Sequence, residues 1–222
     1  MTGLSWAIEP YHELLTDELA GESQQALDAE LRRRGIVFGD RALCTVLRPR
    51  FVTPEQYRFL RQRLAILLRA FDRAHRAALA DEQLRRQFGL TDWEAELIRE
   101  DPGYPAPSPV SRFDTFYETD SNQFRLTEYN AETPAGAAYG DALAQAFLAL
   151  PVMRQFLRRV DVRPLPARHG VLHGLLEAYE CWRNGGGGGR GNRTPRIAIL
   201  DWREVPTTSE FVLFQEYFRA RG

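Results

Sequence analysis

The sequence predicts a mixed α+β protein of the α/β class, with a helical N-terminal part followed by a sheet that contains a β-hairpin. Apolar residues recur at helical intervals in the first hundred residues, and a proline-rich stretch then interrupts this pattern. An apolar strand followed by an amphipathic helix lies near residue 222. The chain has 222 residues, which is enough for one sizeable core or two small ones.

The N-terminal part has the spacing of amphipathic helices. Residues 10–34 are predicted to form one helix, and Gly35 suits its C-cap. Thr53 suits the N-cap of a second helix that continues to about residue 79, because a Pro and a Gln follow at the favoured positions. A shorter helix is predicted over 81–99. Residues 36–48 mix β-branched and apolar side chains and predict a strand or two.

A proline-rich connector divides the chain. Residues 102–109 contain four prolines and therefore cannot form a helix. We place a mainly helical region at 1–100 and a hairpin-bearing region at 101–222. Two strands are predicted over 110–130. Helices are predicted over 134–150 and 169–182.

The last part of the chain resembles the opening of a parallel α/β unit. Apart from Asp201, residues 197–202 are apolar on both faces, as in a buried strand, and residues 209–221 are predicted to form an amphipathic helix. The sequence stops before a return strand, which predicts an incomplete unit. The apolar side of the helix would then lack part of its cover, so we expect self-association through this C-terminal helix.

Composition limits the classes of partner. The net charge of −1 gives no electrostatic case for binding nucleic acid. All 29 basic residues are Arg, so any phosphate contact must come from Arg or from backbone N–H groups. No stretch has the roughly 20 apolar residues of a membrane span, and no secretory signal begins the chain. A cytoplasmic location is the default expectation.

The most informative segment is the predicted hairpin. If its turn is centred on Ser121, Arg112 faces Asn130 and Asp114 faces Glu128, with all four side chains on one face. Opposed carboxylates repel, and Mg²⁺ with its preference for oxygen ligands resolves that conflict. The Arg fork suits a phosphate or an acyl-phosphate. The alternative is a surface ion network, and a one-residue slip in register would break the arrangement.

Two further features of the sequence could form ligand sites. The segment from Thr133 to Gly136 opens a helix just after the hairpin, and the free N–H groups of a helix start bind anions. An ordinary capped helix explains the same pattern. His169 and His173 have the i, i+4 spacing of zinc ligands, but no third ligand is recognisable, so surface histidines are the preferred interpretation.

The amino-acid sequence of the hairpin also supports a site for Mg²⁺ and phosphate. Arg-Phe-Asp at 112–114 and Leu-Thr-Glu-Tyr-Asn-Ala-Glu-Thr-Pro at 126–134 resemble the signature of glutathionylspermidine synthase-like proteins, which belong with the circularly permuted ATP-grasp proteins. The segment 197–211 resembles the strand and helix that follow this hairpin in the family, and residues 38–49 match less specifically. The resemblance spans most of residues 36–221. Glu132 departs from it, since the signature often has Asp there.

The resemblance implies a site and a reaction. Asp114, Glu128 and Asn130 would hold Mg²⁺ beside ATP, and Arg112 would contact the transferred phosphate. The family activates a carboxylate with ATP and captures it with an amine, so small-molecule acid and amine substrates are expected. Its nucleotide-clamping lobes lie beyond the matched strand and helix. The chain is therefore predicted to be a pre-ATP-grasp-like N-terminal portion of such a ligase, inactive alone. The rival hypothesis is a non-catalytic binding or assembly module that retains the hairpin.

Overall fold

The computed structural model describes residues 4–105, 108–131, 134–185 and 194–222. Helices predominate, and two small antiparallel sheets accompany them. The helices are α1 Ser5–Leu14, α2 Asp17–Arg34, α3 Pro54–Ala80, α4 Glu82–Arg86, α5 Asp92–Leu97, α6 Ala137–Ala149, α7 Pro151–Phe156, α8 Arg168–Asn184 and α9 Thr208–Arg219. The strands are β1 Val37–Phe38, β2 Arg41–Ala42, β3 Arg112–Glu118 and β4 Gln123–Asn130.

The N-terminal helices begin and end at local capping residues. The single helix predicted over 10–34 is instead two helices, because Thr16 adopts an extended conformation and its side chain accepts a hydrogen bond from Leu19 N at 3.3 Å. Gly35 ends α2 in the left-handed region with φ 63°, which confirms the predicted C-cap. A helix can restart after Thr16 because this cap satisfies one of the free N–H groups of α2.

The long helix α3 has the predicted start. Gln56 N donates to Thr53 Oγ1 at 3.1 Å, and Thr53 N donates to Gln56 Oε1 at 2.9 Å, which forms a reciprocal capping box. The helix predicted over 81–99 is divided into α4 and α5. Asp81 caps α4 and Thr91 caps α5, so each of these residues starts a new helix.

The main hydrophobic core combines both halves of the chain. The aromatic rings of Tyr11, Phe51 and Phe156 lie within 5.7 Å of one another, measured between centroids. Buried side chains of α2, α6 and α7 complete the core, and Leu213 of α9 joins it. The core therefore includes residues on both sides of the predicted boundary at residues 100 and 101.

The β3–β4 hairpin lies against α3 through aromatic side chains on one face. The Phe71 ring is stacked on Tyr129 at 4.3 Å between centroids, and Phe113 stacks on Tyr129 at 4.7 Å. Near the turn, Phe59 stacks on Tyr117 at 5.9 Å. Because side chains alternate along a strand, the residues next to these aromatic side chains project from the opposite face of the hairpin, away from α3.

A β-bulge explains the side-chain pattern of β4. Residue pairing shifts between Asp114 and Thr115, so Thr115 pairs with Leu126 and Thr127 is the additional residue. In an unbroken strand, the even-numbered Phe124 and Leu126 would face the opposite side from the odd-numbered Tyr129. The bulge brings all three side chains to the side that faces α3. Glu118 pairs with Gln123, so the turn consists of residues 119–122 and is not centred on Ser121 as predicted.

The prediction of a strand over 197–202 is wrong. These residues form neither helix nor strand, and the side chains of Leu200 and Trp202 are 96% and 84% exposed. Both sheets in the described part of the chain are antiparallel, so a parallel α/β unit is not formed there. A strand of that type needs neighbours on both edges, and none of the described segments pairs with residues 197–202.

Candidate functional site

The outer face of the hairpin brings the predicted site residues together. Arg112 pairs with Asn130 and Asp114 pairs with Glu128 as predicted, whereas the pairing between Thr115 and the turn is shifted by one residue from the predicted register. The aromatic contacts to α3 use the other face. After the bulge, Arg125 also lies on the outer face, opposite Phe116. Besides the exposed Phe116 and the turn-end pair of Glu118 and Gln123, this face carries two carboxylates, one amide and two guanidinium groups.

Arg112 is held at one end of this surface by two neighbours. Its Nε donates to Asp114 Oδ1 at 2.7 Å and its Nη2 to Asp114 Oδ2 at 3.2 Å, in a bidentate pair. Its Nη1 donates to Ala135 O at 2.7 Å, on the segment that leads into α6. Hydrogen bonding to Arg112 lowers the pKa of Asp114, which is therefore ionised at neutral pH.

The other two predicted residues have unused polar groups. Glu128 is exposed and makes no hydrogen bond or ion pair with the described residues. Asn130 Nδ2 is buried and has no hydrogen-bond partner in the described part of the chain. A buried N–H without an acceptor costs roughly 1–3 kcal/mol, so this position favours a ligand that provides an oxygen.

The start of α6 is occupied by an acidic side chain of α9. Glu210 is 1% exposed, and its carboxylate accepts hydrogen bonds from the backbone N of Gly136 at 2.9 Å, Ala138 at 2.8 Å and Tyr139 at 3.1 Å. The Gly136 amide, predicted to bind a phosphate, therefore already binds a carboxylate of the protein. Thr133, predicted with it, lies outside the described residues.

The contacts around Glu210 tie α9 to the rest of the molecule. Ser209 Oγ donates to Val37 O at 3.0 Å and lies 2.6 Å from the Tyr139 hydroxyl, so α9 contacts both β1 and α6. Sequence reasoning missed Glu210 as a structural residue. The one available indication was its place in the family-like segment 197–211, since a buried acid has no local pattern that reveals its partner.

An apolar cavity of about 360 Å³ lies beside the start of α6. Its walls come from α8, α9, residues 197–201 and the segment that leads into α6. Phe211, Phe214 and Phe218 of α9 line it, together with Glu210 and Asp201. Ala135 lies between the cavity and the outer face of the hairpin. It lines the cavity, and its carbonyl oxygen accepts a hydrogen bond from Arg112.

The described residues contain no group of three or more His, Cys, Asp and Glu side chains that could hold a metal ion. The hairpin offers two carboxylates, which is the number that Mg²⁺ commonly takes when substrate phosphates and water complete its shell. The rings of His169 and His173 lie 4.2 Å apart on the exposed side of α8. Their position agrees with the preferred interpretation of surface histidines.

In comparisons with known proteins, no protein-family model, no curated protein and no solved structure matches the chain. Within the described residues, none of the helices has the length and apolar character that a membrane span requires. The candidate site is therefore defined by its own geometry.

Replacing Glu210 tests its structural role. Glu210→Ala leaves three backbone N–H groups without their acceptor. Since a hydrogen bond to a charged group contributes roughly 1.5–3 kcal/mol, we expect the free energy of unfolding to fall by about 3 kcal/mol or more. Glu216→Ala, an exposed acid on the same helix, should change it by less than about 0.5 kcal/mol. Urea unfolding followed by circular dichroism measures both, and equal effects would contradict the assignment.

Replacing Arg112 tests the pair with Asp114. Because Arg112 lowers the pKa of Asp114, Arg112→Gln should raise that pKa toward its ordinary value of about 3.9. The pair stabilises the fold above the ordinary pKa, and this contribution is lost as pH falls through the lowered pKa. An NMR titration of the Asp114 carboxyl carbon measures the shift. Arg125→Gln is the matched control, and an unchanged pKa in Arg112→Gln would show that the bidentate pair is absent in solution.

Proposed function

We propose that the chain is the N-terminal part of an ATP-grasp-type ligase, which activates a carboxylate with Mg–ATP and joins it to an amine in the cytoplasm. The observation that carries this proposal is the hairpin register, which puts Arg112, Asp114, Glu128 and Asn130 on one face. These are the positions that match the signature of glutathionylspermidine synthase-like proteins. The substrates would be a small-molecule acid and a small-molecule amine.

The donor set on this face fits Mg²⁺ with a bound phosphate. Asp114 and Glu128 provide carboxylates on paired residues, and the exposed position of Glu128 leaves it available. When bound, Mg²⁺ would neutralise charge on the transferred phosphoryl group. Among the described residues, the Asn130 amide nitrogen has no hydrogen-bond partner and would donate to a phosphate oxygen, while the metal contact predicted for Asn130 would use its amide oxygen.

Arg112 would change partner when the ligand binds. Its guanidinium now neutralises Asp114 through two hydrogen bonds. A cation bound by Asp114 would take over that neutralisation, and the planar fork of Arg112 would then be available to bind a phosphate or an acyl-phosphate bidentately. The hydrogen bond from Nη1 to Ala135 O would keep the guanidinium near the start of α6 during this exchange.

The same proposal holds that this segment is inactive alone. The chain has no Lys to contact the nucleotide phosphates, and the α6 N-terminus is filled by Glu210. The family resemblance implies further lobes that clamp the nucleotide. The complete site would therefore need protein beyond the hairpin, whether from the same or another chain.

A second candidate function is a non-catalytic binding or assembly module. The observation that favours it is the internal pairing of the charged groups, since Asp114 is neutralised by Arg112 and the α6 N-terminus by Glu210. In that case the hairpin would be a structural ion network. The two candidates differ in whether Mg–ATP binds to the outer face.

Calorimetric titration with Mg–ATP tests the proposal. We expect saturable binding by the wild-type chain without ADP release. The double variant Asp114→Asn with Glu128→Gln should lose at least about tenfold in affinity, which corresponds to about 1.4 kcal/mol. Glu118→Gln, at the turn end of the same hairpin, is the control and should bind as the wild type does.

Two outcomes would contradict the proposal. Equal binding by the double variant and the wild type would remove the two acids from the site, and the absence of saturable binding would favour the assembly module. Robust ADP release by the 222-residue chain would show that the segment is catalytically complete and not a partial enzyme.

A further inference from the structure

The cavity beside the start of α6 has the size and the walls of a small-molecule site. Its volume of about 360 Å³ falls within the roughly 300–1,000 Å³ that is usual for such sites. Phe211, Phe214 and Phe218 of α9 line it, together with Val171 and Leu175 of α8. These side chains suit the apolar body of a ligand.

The ionisable side chains of the cavity are acidic. Asp201 and Glu210 both line it, and none of the described lining residues is an Arg or a His. Glu210 is buried and bound by backbone N–H groups of α6, so Asp201 is the acid that is available to a ligand. Asp201 is exposed, and its Oδ1 accepts a hydrogen bond from Trp202 N at 2.7 Å. A carboxylate accepts several hydrogen bonds, and those from a cation are the strongest. The lining therefore favours a cationic ligand.

We propose that the cavity binds a small primary amine with an apolar body, as its ammonium ion. The ammonium group would donate to the Asp201 carboxylate, and the apolar body would pack against the three Phe side chains of α9. The faces of aromatic rings also attract a cation, so the walls tolerate the charged end. An apolar carboxylic acid would bring a third negative charge beside Asp201 and Glu210, and repulsion disfavours it.

The cavity adjoins the proposed phosphate site on the hairpin. Val110 and Ala135 line the cavity, and Arg112, two residues after Val110, donates to Ala135 O at 2.7 Å. An amine in the cavity would therefore lie near the guanidinium that is proposed to contact the acyl-phosphate. Its identification as the amine substrate of the ligase rests on the proposed function, whereas its binding to the cavity does not.

An NMR titration with four small probes tests the amine site. Phenethylamine has both an ammonium group and an apolar body. Phenethyl alcohol lacks the charge, hydrocinnamate has the opposite charge, and ethylamine lacks the apolar body. Phenethylamine should shift the amide signals of Asp201, Phe211 and Phe214. It should bind at least about threefold more tightly than each of the other probes, because each lacks the ion pair or the apolar contact.

Two variants separate the charge from the apolar walls. Asp201→Asn should weaken phenethylamine binding by about threefold to fivefold and leave phenethyl alcohol binding unchanged, since only the ion pair is lost. Glu204→Gln, an exposed acid outside the cavity lining, is the matched control and should bind as the wild type does. Ala198→Trp fills the cavity from an exposed position and should abolish binding of both probes. Circular dichroism confirms that each variant is folded.

Several results would overturn the amine site. These are no binding of phenethylamine, equal binding of hydrocinnamate or ethylamine, signal shifts away from the cavity, or unchanged binding in Asp201→Asn or Ala198→Trp. The Mg–ATP titration is a separate measurement. Amine binding without Mg–ATP binding would support the cavity site and contradict the ligase, and Mg–ATP binding without amine binding would contradict the cavity site alone.

Discussion

The arrangement of the C-terminal half depends on the buried carboxylate of Glu210 at the N-terminus of α6. A charged group that is 1% exposed is stable there because three backbone N–H groups donate to it and the helix dipole favours a negative charge. This interaction fixes α9 against α6. Since α6 follows β4 closely and Ala135 O accepts from Arg112, the same anchor positions one end of the hairpin surface.

The Glu210 carboxylate at the N-terminus of α6 also decides where a ligand can bind. A helix N-terminus is a general anion site, and here the anion is part of the protein. On the hairpin surface next to it, the Glu128 carboxylate is exposed, and the Asn130 amide nitrogen has no hydrogen-bond partner among the described residues. Ligand binding is therefore expected on the hairpin and not at the helix start. In the proposed enzyme, Arg112 links these two places by contacting both Asp114 and Ala135.

Local chemistry made much of the fold predictable from the sequence. The Thr53 capping box, the Gly35 C-cap and the pairing of Asp114 with Glu128 each depend on residues close together in the chain. The bulge was missed because it depends on which side chains face α3. Phe124 and Leu126 must lie with Tyr129, and only an additional residue between them permits this.

Long-range contacts made the rest unpredictable. Glu210 meets amides more than 70 positions earlier in the chain, and no sequence spacing indicates such a pair. Residues 197–202 have the composition of a buried strand, yet pairing requires a neighbour that composition cannot supply. The candidate site residues were found because they lie on one hairpin. Their participation in ATP chemistry stays a prediction that the family resemblance supports.

Paramagnetic NMR with Mn²⁺, which replaces Mg²⁺ at oxygen sites, tests the central claim that the outer hairpin face binds a divalent cation. In the presence of ATP, the amide signals of Asp114, Glu128 and their neighbours should broaden first, while those of His169 and His173 should broaden only at higher Mn²⁺ concentration. Broadening that begins at the two histidines, or that spreads evenly over exposed acids, would contradict the claim.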